Sequence, residues 1–320
     1  MEITATRARR FQRTEDAGDR RITERDVNIL NHVRRHRFLN TEHLVALDGG
    51  NAANIKARLR VLYDQGLLDR PEAQRHYSRH TTPGAMVYAL GRAGARFLRE
   101  HGEEIDPTLD LTEKNRRAGS VFVSHTLGVA DFLVNLEVGC RNSADRLQLI
   151  SQNQLLAVAP EKTRRSREPL RWQATTLNEK AKPQAFSVIP DGMFALLSPS
   201  APREKNVNIH LLEIDRGTIP IRRKGQGHRS IRHKLNVYLH GWQAKRHVQQ
   251  FGTPAVQVAM VTNSPVRVEH MLDEVLDLTG GAGSRIFLFT DQQTLAAAGG
   301  DPLKAQWING KGELTALSGE

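Results

Sequence analysis

The chain has 320 residues, 39% of them hydrophobic and 25% charged, as in a soluble protein with two or three domains and at least one substantial core. No uninterrupted apolar run approaches the ~20 residues that cross a bilayer, and the charged N-terminus lacks an apolar signal region, so a cytoplasmic protein with no membrane partner is expected. The single cysteine, Cys140, excludes an internal disulfide framework and a multi-cysteine zinc site, while a net charge of +11 and a pI near 10.1 favour nucleic acid as partner.

Residues 1–21 carry almost no apolar pattern and read as a basic, mobile arm. Residues 22–104 read as one domain. Thr23 caps a helix with Val27, Leu30 and Val33 inward. Thr41 caps a second, with Leu44, Val45 and Leu47 inward. The turn Asp48-Gly49-Gly50 separates it from a third helix, capped by Asn51 and buried through Ile55, Leu59 and Leu62. Leu67-Leu68-Asp69 and residues 86–90 then read as two strands of a wing, joined by a polar tip over residues 70–83. Three helices and a wing, with a glycine turn before the third helix, are the order of a winged helix-turn-helix. That motif inserts its recognition helix into the major groove of duplex DNA. Asn51, Asn54, Lys56, Arg58 and Arg60 are therefore the candidate DNA contacts. A helix over residues 92–101 reads as a dimerisation or packing element, which leaves room for a homodimer.

Residues 105–118 are polar and read as a linker, and residues 119–320 as a second domain. It begins with a helix over about residues 120–140. Residues 147–158 look strand-like, and the charged insertion 161–182 reads as a long loop or irregular hairpin. Two apolar runs of β-type residues follow, FSVIPDGMFALL and NIHLLEIDRGT, carrying Asp191 in the first and Glu213 and Asp215 in the second. Alternation along a strand projects Glu213 and Asp215 to one face. Carboxylates amid apolar residues require a partner charge or a metal, or else they face water. Between residues 216 and 267 the chain holds ten lysines and arginines and no aspartate or glutamate. Arg222, Arg223 and Lys224 in that segment are further candidate DNA contacts. A helix over about residues 229–250 places Lys234 and Tyr238 one turn apart. The strand VQVAMVT, a helix over residues 265–278 and the strand SRIFLFT complete an α/β pattern, a mixed sheet with helices on both faces.

An aspartate in a PDG turn, Glu-x-Asp on the next strand and a basic helix resemble the restriction-endonuclease-like, or PD-(D/E)xK, nuclease core. With the preceding winged helix, EIDRGT and the downstream Lys-x-x-x-Tyr, the chain resembles the replication-relaxation family of plasmids and integrative elements. The resemblance implies DNA binding in plasmid replication or relaxation, and metal-dependent endonuclease or nickase chemistry. Asp191 and Glu213 would hold Mg²⁺ or Mn²⁺. The lysine normally two positions after the glutamate is replaced by Asp215. Either Lys234 supplies the cation from the helix, or Asp215 adds a third metal-binding carboxylate, or the core survives as a DNA-binding scaffold without chemistry. His125, Asp131, Gln152 and Gln154 are supporting or DNA-contacting candidates, and Tyr238 is a nucleophile candidate that helical spacing places in the core. The histidine pairs His32/His36 and His76/His80 lack a zinc helix's glutamate. Gly280-Gly281-Ala282-Gly283 lacks the lysine of a phosphate loop, so no nucleotide cofactor is expected.

Overall fold

The computed structural model describes residues 10–14, 21–74, 85–103, 111–177, 182–202, 206–223 and 230–319. Most of the N-terminal arm, the wing tip from residue 75 and Lys224 lie outside these. The chain divides into two compact units, Met1–Val134 and Asn135–Glu320.

In the first unit, α1 (Glu24–His36) and α3 (Ala52–Asp64) start at the expected Thr23 and Asn51, whereas α2 (Thr41–Asp48) is capped by Asn40, whose side chain accepts the His43 N–H at 2.8 Å, so Thr41 is its first residue and not its cap. The Thr23 N–H and hydroxyl both donate to Asp26, and Asn51 accepts the N–H groups of Ala53 and Asn54 at 2.9 and 3.2 Å. Gly49 closes α2 with a φ of 69°, a left-handed position where glycine bears no side-chain penalty. Helical spacing turns Ile29, Leu30, Val33, Leu44, Leu47, Ile55, Leu59 and Leu62 inward, all at most 3% exposed. Truncating any of these leucines to alanine costs about 2–5 kcal/mol. Val27 and Val45 pack only at the margin. A three-stranded antiparallel sheet follows, in the order β1 (Leu39–Asn40), β3 (Val87–Leu90), β2 (Leu68–Asp69). Then come α4 (Arg92–Glu100) and α5 (Leu111–Arg116), the latter inside the segment read as a linker.

Helix α6 (Ser120–Arg141) is long and apolar enough by length and composition to cross a bilayer. Its residues Val123, Leu127, Ala130, Phe132, Val134 and Leu136 are buried at 0–8% exposure, while Val121 and Phe122 at its start are exposed.

The second unit is α/β, built on a mixed seven-stranded sheet. Its strands are β4 (Gln148–Ile150), β7 (Gly192–Leu197), β8 (Val207–Ile214), β9 (Gln257–Thr262), β10 (Ser284–Asp291), β11 (Trp307–Gly310) and β12 (Leu314–Thr315), adjacent in that order. The pairs β8–β9 and β9–β10 are parallel and the others antiparallel. Parallel neighbours need crossovers, and α9 (Ile231–Gln243) and α11 (Pro265–Leu278) supply them. Alternate residues Met193, Leu211, Val258, Met260, Phe287 and Phe289 meet Leu235, Tyr238, Met271 and Val275 of those helices in one core.

Four expectations change here. Residues 147–158 are not one strand: β4 stops where Ser151 and Gln154 form a capping box that opens α7 (Gln152–Ala157). The first acidic run is likewise interrupted. Residues 183–188 belong to a separate hairpin, because Pro190 cannot continue a ladder, and the sheet strand begins only at Gly192. The insertion holds a short α8 (Glu161–Arg164) and then that hairpin, β5 (Trp172–Leu177) against β6 (Pro183–Val188), paired from Trp172↔Val188 to Leu177↔Pro183. Finally, the long basic helix is two, α9 and α10 (Arg246–Phe251), broken at Lys245 with a left-handed φ of 54°. The hairpin seats α9: the Trp172 indole donates to the Val237 carbonyl at 3.3 Å and lies against Gly241, where an added Cβ would fall 2.0 Å from Nε1.

Candidate functional site

Strands β7 and β8 bring the first two carboxylates together. The loop before β7 is tied to β8 at Asp191, whose N–H donates to Leu212 at 2.9 Å and whose Oδ2 accepts the Ile214 N–H at 2.8 Å. Glu213 sits at the C-terminal end of β8, 1% exposed. Helix α9 starts at Ser230, which accepts the His233 N–H at 3.2 Å, and it presents Lys234 and Tyr238 one turn apart. Lys234 Nζ reaches Glu213 Oε2 at 2.6 Å and the Tyr238 hydroxyl donates to Oε1 at 2.6 Å. A cation from a later helix thus stands at the acidic strand, as one sequence alternative requires.

The charges in this cluster shift one another. Burial pushes the Glu213 carboxyl up, assisted by the Asp191 charge and opposed by Lys234. Burial alone would lower Lys234, but Glu213, Asp191 and Asp215 together outweigh it and hold the ammonium above its ordinary range. Burial and the negative charge of Glu213 drive Tyr238 well above a normal phenol. A fully buried, firmly protonated hydroxyl is a donor that fixes a carboxylate, a poor match to a nucleophile.

Asp215 is placed differently from Glu213. Its carboxylate takes both Arg267 Nε and Nη2, the Thr262 hydroxyl at 2.8 Å and the Gly217 N–H at 3.2 Å. Arg267 also donates to the Ile219 carbonyl, so this buried pair pins the chain leaving β8. Arg222 and Arg232 bind Glu274 and Asp277 of α11. Arg223 is exposed, and Lys224 lies outside the described residues.

Asp191 and Glu213 carry carboxylate oxygens, the hard donor type that Mg²⁺ or Mn²⁺ takes. Each Glu213 oxygen accepts one of these two hydrogen bonds, and a carboxylate oxygen can accept two. Among the described residues no group of three His, Cys, Asp or Glu gathers at metal-binding distance. Gln152 accepts the Met193 N–H at 3.2 Å beside this site, whereas Gln154 is spent on its helix cap. Asp131 pairs with His43 at 2.6 Å, and His125 is half-buried.

Of the candidates on α3, Asn51 is the cap, and Asn54 and Lys56 are exposed. Arg58 is held by the buried Asp26, and Arg60 by Asp64 at 2.7 Å with the Gln12 carbonyl at 3.0 Å. Burial would raise the Asp26 carboxyl, but Arg58 and the Thr23 donors outweigh it and keep it below its usual range. Sequence reasoning missed the structural roles of Arg58, Arg267 and Thr262. Each partner lies tens of residues away, without any local signal.

The sequence model of the replication-relaxation family matches residues 30–255, most of the chain. The chain belongs to the replication-relaxation family. Membership ties it to plasmid or mobile-element replication or relaxation. The match runs from within α1 through Asp191, Glu213 and Lys234 to just short of β9. Neither the curated proteins nor the solved structures yield a match to this replication-relaxation chain.

Proposed function

We propose that this replication-relaxation protein is a site-directed, Mg²⁺-dependent DNA endonuclease or nickase. Its first unit is read as a winged helix-turn-helix that chooses the site, and its second as a restriction-endonuclease-like core that cuts. The observation that carries the reading is the Lys234–Glu213 pair beside Asp191, which supplies from α9 the lysine that Glu-x-Asp lacks. The order helix, strand, two antiparallel strands, crossover helix, parallel strand supports the nuclease-like core. Three capped helices and a small antiparallel sheet support the winged helix.

Asp191 and Glu213 would hold Mg²⁺ or Mn²⁺, which when bound activates water and neutralises charge at phosphorus. Lys234 keeps its proton and places a positive charge at the carboxylates, where a scissile phosphate would be attracted. Tyr238 fixes the orientation of Glu213, and the Asp215–Arg267 pair fixes the strand end that carries it. Asp215 is accordingly read as a positioning residue.

The test is incubation of supercoiled plasmid from the protein's own element with Mg²⁺ or Mn²⁺, for wild type, Asp191→Ala and Glu213→Ala. Relaxed or linear product from the wild type alone is expected. No product from the wild type would overturn cleavage. A second reading, a replication or transcription regulator with a degenerate nuclease core, is favoured by the 1% exposure of Glu213. It requires specific DNA binding unchanged by either substitution and indifferent to chelator.

A further inference from the structure

The first unit holds an open cavity that the site above does not use, at the far end of α3 from its exposed N-terminal face. Arg13, Arg92, Arg96, Arg99 and Arg116 line it, against the carboxylates Asp69 and Glu113. Arg92, Arg96 and Arg99 stand on one side of α4 because they recur at intervals of four and three. All three are exposed, while Gly94 and Leu98 turn to the core. Among the described residues, acids compensate Arg13, Arg96 and Arg116 little. Asp69 is 3.4 Å from Arg13, and Glu113 is 3.8 Å from Arg116 while also serving Arg117 at 2.8 Å. The Arg96–Glu100 contact is 3.9 Å long with both side chains mostly exposed, a pair worth almost nothing in water. Arg13 is held in place by the Tyr63 and Leu68 carbonyls and by the Tyr63 ring, its guanidinium 4.6 Å from the ring centroid. One guanidinium is thus pre-positioned in a cleft that others surround.

Arginines that outnumber the carboxylates among the described lining of a concave surface match phosphate oxygens. About 15 Å of helix separates Asn54 from the Asp64 end of α3, more than the ~12 Å width of a major groove. A duplex read by the N-terminal face of α3 would therefore meet this cleft through a different stretch of backbone. We propose that the arginine cleft between α4, α5 and the segment at Arg13 is a second DNA-backbone site, gripping phosphates without reading sequence. This rests on the DNA-binding reading above.

The test compares full-length wild type, Arg96→Ala/Arg99→Ala, and the charge-matched control Arg164→Ala/Arg165→Ala from an exposed turn in the second unit. Binding to the element's own DNA and to an unrelated duplex is titrated against salt. Each lost phosphate contact lowers the slope of log K against log[salt] by about 0.9, so the cleft variant should lose about 1.8, with equal weakening on both duplexes. The control should keep the wild-type slope. A cleft variant identical to wild type, or a control that loses as much slope, overturns the cleft while DNA binding stands. A wild type that does not bind DNA fails the underlying reading instead. Unchanged melting of both variants, expected for exposed side chains, separates these outcomes from misfolding.

Discussion

Lys234→Met replaces an ammonium by an apolar side chain of similar length and leaves Glu213, 1% exposed, with the Tyr238 hydroxyl still donating to it. Removing one partner of a buried pair costs about 3–5 kcal/mol, because the other charge stays uncompensated. At ~2–4 °C per kcal/mol for a unit of this size, the melting temperature should fall by about 6–20 °C. The pH dependence has a definite sign. Burial already raises the folded pKa of Glu213, and losing Lys234 raises it further. A raised carboxyl stabilises the fold below its unfolded pKa and loses that contribution as pH climbs through the folded value. The deficit should therefore be largest near about pH 8 and shrink toward about pH 5, each unit of pKa corresponding to ~1.4 kcal/mol. Urea unfolding followed by tryptophan fluorescence measures it cleanly, since Trp172, Trp242 and Trp307 all lie in the second unit. Adding Glu213→Gln should recover most of the loss, as a double-mutant cycle demands for coupled groups. A deficit below ~1 kcal/mol at the higher pH, or one independent of pH, would show that Glu213 is solvated, contrary to the buried pair described here.

Two further outcomes follow from the same geometry. His210 is fully buried, stacked on Phe194 at 4.9 Å, and burial depresses it to about 3, the Leu317 main chain opposing only partly. A depressed pKa contributes stability above the unfolded value of 6.5 and loses it as pH falls toward about 3, so His210→Phe should flatten the acid limb of the second unit's urea midpoint. An unaltered limb would assign acid sensitivity elsewhere. Arg58→Ala should cost about 3–5 kcal/mol because it strands the buried Asp26. Lys56→Ala, on the exposed face of the same helix, should stay within about 0.5 kcal/mol. Thermal melting by far-ultraviolet circular dichroism separates them, and equal melting would refute the structural role of Arg58. Weaker DNA binding by Arg58→Ala is for this reason no evidence of a groove contact unless the variant is folded at the assay temperature.

Local chemistry was enough for much of this protein. Thr23 and Asn51 start helices where the residue pattern places them, Asn51 by accepting N–H groups within three residues. The stripe Ile55, Leu59 and Leu62 is buried because the helical period places those residues on one face. The acidic pair at the end of β8, the crossover helices and the family resemblance were legible for the same reason, each being a short local pattern. Tertiary structure decided what those residues do. Glu213 near the end of β8 and Asp215 just beyond it part company because Lys234 and Tyr238 arrive from α9 and Arg267 arrives from α11. The Trp172 hairpin, which sequence left open between a long loop and an irregular hairpin, seats α9 against the sheet. Arg58 and Arg222, plausible DNA contacts by position, are held by Asp26, Glu274 and Asp277. Periodicity specifies which face a residue occupies. Which charge meets it there depends on strand order and helix placement, which no single segment encodes.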